Sequence, residues 1–129
     1  MNKKLTLISP DCGDTPVPTL RELLEKLPEL QNLYWMIFGD VSGVESIPAT
    51  VMSYQELCSF ETDEVKLFET WIHGFLLDPK DLLNHEQDRA GAAVITFFIC
   101  DGDTWIIDSD DSRLIDMIAD RFQAFIFKD

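Results

Sequence analysis

The chain has 129 residues, 46% hydrophobic and 11% aromatic, with 24 acidic against 10 basic side chains and a net charge of -14. Such a length and composition describe one folded domain that buries a core without disulfides or metal, and they exclude a disordered tail. The charge disfavours direct binding to nucleic acid or anionic lipid and favours a cationic protein partner, whose encounter a complementary field would speed. Solubility alone is the competing explanation of such a surface.

Residues 1–60, 61–100 and 101–129 hold eight acidic residues each, so the acidity is spread over the fold and is not a detachable tail. Cys12, Cys58 and Cys100 form an odd set with no CxxC spacing, which points to reduced thiols and away from a disulfide scaffold or zinc ribbon. The apolar run after the basic start MNKK is too short for a signal peptide, and no segment approaches a membrane span. The expectation is a cytoplasmic protein with no cofactor.

LTLI, residues 5–8, reads as a short edge strand, and PDCGDTPVP after it as a loop broken by prolines, glycine and aspartates. Thr19 and Glu22 form a capping box, and Leu20, Leu23, Leu24 and Leu27 recur at helical spacing until Pro28 stops the helix. LYWMIFGDV, 33–41, is a buried strand closing on Gly39-Asp40, and GVESIPATV is loop or edge. SYQELCSF, 53–60, has a serine cap and suits a short helix, with a strand as the alternative. VKLFETWIHGFLL, 65–77, fits either period, but Gly74 favours a strand or bend near 70–77.

Asp78-Pro79 opens a short helix over DLLNHEQ, with Pro at a position whose missing N–H costs nothing, and RAGAA connects onward. VITFFIC, 94–100, is apolar throughout and so is expected to be a central strand buried on both faces. Asp101-Gly102-Asp103 joins it to TWIID, 104–108, as a hairpin turn. SDDSRLIDMIADRF is an amphipathic helix with Ile115, Ile118 and Phe122 inward and Asp110 and Asp111 in its first turn, complementing the helix dipole. FIF, 125–127, is a last short strand. The sum is a single α+β domain over residues 1–129: a largely antiparallel sheet flanked by helices, with a C-terminal β-hairpin followed by an amphipathic helix.

The acidic run CDGDTWIIDSDDS, 100–112, is the first place to look for chemistry. It fails as an EF-hand: counted from Asp101, position 6 is Ile106 and position 12 is Ser112, and counted from Asp108 they are Arg113 and Ala119. Turn formation at Asp101 and Asp103, and helix capping at Asp108, Asp110 and Asp111, already account for its carboxylates. Cys100 ends an apolar strand, where free thiols are inert. His73 and His85 lie 12 residues apart with no HxxxH, HxH or HExxH spacing, and no GxSxG elbow, Walker loop or GxGxxG is present. No catalytic or metal residues are assigned. Of three tryptophans, Trp35 reads as core, while Trp105 shares a strand face with Ile107 and, if exposed among aspartates, is of the type that anchors interfaces.

The order of features resembles the small acidic immunity proteins of bacterial contact-dependent and polymorphic toxin systems. The matching run comprises YWMIFGD, HGFLLDPKDLL, VITFFICDG and TWIIDSDDSRLIDMIADRF, and covers most of residues 33–122. The resemblance implies a role: a non-enzymatic protein that neutralises a cognate basic toxin, a nuclease being the expected class. Asp101, Asp103, Asp108, Asp110 and Asp111 are the expected partner-binding carboxylates, imitating phosphate spacing, with Trp105 as anchor. The alternative is a small-ligand or regulatory module with a pocket lined by Phe97, Phe98, Trp71 and Phe75. A third reading is an enzyme that pairs aspartates with a divalent metal.

Overall fold

The computed structural model describes residues 3–9, 16–43, 51–62, 65–76, 93–101 and 103–127. The expected helix at 78–87, the connector after it, His85, Cys12, Gly102 and most of the loops at 10–15 and 43–51 lie outside the described residues.

The strands are β1 (Lys3–Leu7), β2 (Tyr34–Ser42), β3 (Lys66–Phe75), β4 (Ile95–Cys100), β5 (Thr104–Ser109) and the two-residue β6 (Ile126–Phe127). They form one sheet in the order β2-β3-β4-β5-β1-β6, with every neighbouring pair antiparallel. The helices are α1 (Leu20–Glu25), α2 (Tyr54–Cys58) and α3 (Ser112–Arg121), with a 3-10 turn at Pro28–Leu30. The α+β architecture follows from antiparallel pairing of sequential strands, β2 with β3, β3 with β4 and, through the tight turn at Asp101 and Asp103, β4 with β5.

Each helix starts where the sequence supplies a cap. In α1 the Thr19 hydroxyl accepts from the Glu22 N–H at 3.1 Å while the Glu22 carboxylate accepts from the Thr19 N–H at 3.0 Å. Ser53 and Glu56 repeat this box at α2. Asp111 is the N-cap of α3 and accepts from the Arg113 N–H at 3.0 Å, so Asp110 and Asp111 precede the first turn and do not belong to it. The inward stripe of α3 is the expected Ile115, Ile118 and Phe122, all buried.

The three described helices pack on one face of the sheet. Leu20, Leu23, Leu24, Leu27, Leu57, Ile115 and Ile118 meet the sheet's Leu5, Leu7, Trp35, Ile37, Ile72, Ile95, Phe97, Trp105 and Ile107 in one core. Within it Trp35 stacks on Phe97 at 6.0 Å and the Trp105 ring meets Phe97 edge-on at 6.3 Å. Tyr54 donates its hydroxyl to the Leu24 carbonyl and so ties α2 to α1. Arg121 clamps the end of α3 to the 3-10 turn, donating to both Glu29 carboxylate oxygens at 2.7 and 2.5 Å and to the Lys26 carbonyl at 2.8 Å.

Two sequence expectations change here, and one left between alternatives is decided. VITFFIC is central, but β4 alternates buried with half-buried residues, so only its Ile95, Phe97 and Ile99 side is core. β1 is not an edge strand, because β5 and β6 pair with its two sides. Of the strand or bend expected near 70–77, residues 66–75 form the strand, and a Cβ at Gly74 would stand 2.9 Å from the Trp35 ring, so glycine serves close packing.

Candidate functional site

The second face of the sheet carries no helix among the described residues, and its side chains follow from strand alternation. Register places Phe38, Trp71, Phe98, Ile106 and Thr6 in one row across β2, β3, β4, β5 and β1. The next row is Met36, His73, Thr96, Asp108 and Lys4. One row is therefore apolar and aromatic, and its neighbour ends in a histidine, a threonine and two opposite charges.

Trp71 and Phe98 stack at 4.4 Å with planes 21° apart, the cross-strand aromatic pairing that a register of this kind produces. Trp71 is nevertheless 41% exposed and Phe68 on the same strand 50% exposed. Phe68 owes its position to a bulge: Asp40 pairs with Glu69 but Val41 pairs with Leu67, leaving Phe68 without a partner residue. Gly39 permits this irregularity, with φ of 110° and the Glu69 carbonyl 2.2 Å from where a Cβ would stand. Thr70 fastens the bulge from the core side, donating to the Asp40 carbonyl at 2.8 Å.

Along one border of the aromatic row lie Asp40, Glu69, Asp101 and Asp103. Desolvation, followed by the negative charge of Asp101, Glu69 and Asp103, pushes the half-buried Cys100 thiol above its usual range, so it is a poor nucleophile. Along the other border is a concave depression of about 600 Å³, lined by Lys4, Trp71, His73, Thr96, Phe98, Ile106, Asp108 and Asp110 among others. In it His73 Nδ1 and Thr96 Oγ1 are hydrogen-bonded at 2.8 Å. Asp108 Oδ1 is buried and has no hydrogen-bond partner among the described residues.

The residues singled out from sequence separate. Asp101 and Asp103 are exposed at the hairpin turn, where Asp101 takes a left-handed φ of 56° and the Asp103 N–H returns to the Cys100 carbonyl at 3.2 Å. Asp108, Asp110 and Asp111 stand at the far end of β5. At ~3.3 Å per residue, Asp103 and Asp110 are roughly 23 Å apart, so the five carboxylates are not one patch.

Trp105 cannot be an anchor: it is 0% exposed, and its indole N–H donates to the Pro18 carbonyl at 2.8 Å from within the core. Trp71 is the exposed indole instead. The aromatic pocket divides in the same way. Phe98 and Trp71 line the depression, whereas Phe97 is buried under the helices on the opposite face. Among the described residues no group of three or more His, Cys, Asp or Glu is arranged to hold a metal ion.

The row Phe38-Trp71-Phe98-Ile106 was missed because it joins four strands. The alternation within ETWIHGF and ITFFIC assigns faces to each segment, but only strand register brings the two together. No helix of the described residues is long and apolar enough to cross a membrane. Comparison with protein-family models, curated proteins and solved structures finds no match for this chain.

Proposed function

We propose that the chain is a non-enzymatic binding protein of the immunity type, which neutralises a basic toxin by covering its working surface with the Trp71-bearing face of the sheet. The observation that carries this reading is the exposed Trp71–Phe68 surface, bordered by Asp40, Glu69, Asp101 and Asp103, on a chain of net charge -14. An exposed indole on a rigid strand has the character of an interface hot spot, and a surrounding carboxylate rim gives rate and selectivity toward a cationic partner. Interfacial charge pairs of this kind couple by ~1.5–7 kcal/mol.

Affinity capture on the immobilised protein, from a lysate of its source organism at low and at high salt, tests the reading. Retention of a basic protein at low salt and its loss at high salt is the expected result. Recovery of no basic protein in either buffer counts against it.

A second reading rests on the depression between Trp71 and Asp108. Its volume of about 600 Å³ is that of a small-molecule site. A rise in melting temperature with one compound of a metabolite panel would favour it, and a flat panel would weigh against it.

A further inference from the structure

We infer that the depression beside the aromatic row is a seat for an arginine side chain of the basic partner, with Asp108 as the carboxylate that receives it. This inference rests on the binding role proposed above and names the group that the face recognises.

Asp108 is the outward residue near the end of β5, facing Thr96 on one neighbouring strand and Lys4 on the other. One of its oxygens is buried and has no donor among the described residues. No ion pair joins it to Lys4 or to any other described residue, although both side chains line the same depression. A buried carboxylate oxygen without a donor is costly, and a cation that brings its own hydrogen bonds removes that cost. Asp110 lines the same space and adds a second negative charge.

The aromatic side of the depression selects among cations. Phe98 pairs with Ile106, two residues before Asp108 on the same strand, so Phe98 and Asp108 are diagonal neighbours about 7–8 Å apart. That gap suits a flat group lying between an aromatic wall and a carboxylate. A guanidinium is planar, stacks on aromatic rings, carries five donors in a fixed fork and is weakly hydrated. An ammonium is a compact, strongly hydrated charge and gains less from the same walls. A basic protein surface supplies such groups, which is how the net charge of -14 and the shape of the depression converge on one occupant.

The test uses the intact protein and an acetylated, amidated Gly-Arg-Gly peptide, followed by the indole N–H resonances. Trp35 and Trp105 are fully buried on the helix side, so the Trp71 indole alone should report binding. The expected result is a saturating shift of that resonance with the arginine peptide, a weaker response with lysine, and none with the neutral isostere citrulline. Asp108→Asn should weaken binding about tenfold, as loss of a charge-assisted hydrogen bond does. Lys4→Met should tighten it by removing a like charge, and Asp120→Asn, on the exposed side of α3, should leave it unchanged. The spectrum of each variant reports its folding directly.

Absence of a Trp71 shift, an equal response to citrulline, or undiminished binding by folded Asp108→Asn would overturn the assignment. Because the peptide titration needs no partner protein, it decides the arginine seat whatever the capture experiment finds. Retention of a basic protein alongside a failed titration would remove the seat and leave the binding role standing.

Discussion

Replacing Trp105 by Phe, beside the same change at Trp35, isolates one hydrogen bond in a shared environment. Both indoles are 0% exposed and both pack against Phe97. Trp105 donates to the Pro18 carbonyl at 2.8 Å, whereas Trp35 Nε1 is buried with no partner among the described residues. The loss of ring volume is common to the two substitutions. Trp105→Phe also breaks a bond and strands a carbonyl, while Trp35→Phe removes an N–H that was already costly to bury. The hydrogen-bond difference amounts to about 1–3 kcal/mol, with Trp105→Phe the more damaging change. For a domain of this size it corresponds to roughly 3–10 °C in melting temperature. Urea unfolding followed by far-ultraviolet circular dichroism avoids the loss of fluorescence that either change brings. Equal midpoints, or a larger loss for Trp35→Phe, would refute the assignment of Trp105 to the core through Pro18.

Gly74→Ala should destabilise by about 1–3 kcal/mol, because its Cβ meets a stacked Trp35 ring that has no room to move, and thermal melts measure this directly. Hydrogen bonds from Arg121 hold the Glu29 carboxyl down to about 2 from 4.5, so its contribution is present above the ordinary value and disappears as pH falls through about 2. Melting curves of Glu29→Gln should therefore lie below those of the parent at neutral pH and merge with them near pH 2, the gap narrowing at high salt because the pair is exposed. Cys100 should alkylate slowly at pH 8 and faster in Glu69→Gln, which removes one of the charges that keep its thiol protonated; peptide mapping after iodoacetamide separates it from the other cysteines.

Local chemistry was legible where a few neighbouring residues decide the outcome. Thr19 and Glu22, or Ser53 and Glu56, satisfy their own helix's N–H groups, so both helix starts are written within four letters. Asp101 marks the hairpin because aspartate is among the few residues that tolerate the left-handed backbone it takes there, with φ of 56°. The site was not legible in the same way. Trp71 and Trp105 both sit in alternating apolar strands, and what separates them is which face the helices cover. That choice depends on Leu20, Leu57 and Ile115 meeting a sheet whose β1 pairs with β5 across most of the chain. The bulge that brings out Phe68 depends likewise on Gly39, which lies 29 positions earlier and on another strand.

The central claim is that the Trp71-bearing sheet face meets a basic partner, and two charge reversals of equal size test it most directly. Asp103 lies on the border of that face and Asp120 on the exposed side of α3, so Asp103→Lys and Asp120→Lys change the net charge identically on opposite sides of the molecule. Captured at low salt, a basic partner should be retained by the parent and by Asp120→Lys, and retained far less by Asp103→Lys. Equal retention by the two variants would mean that net charge alone, and not this face, does the binding.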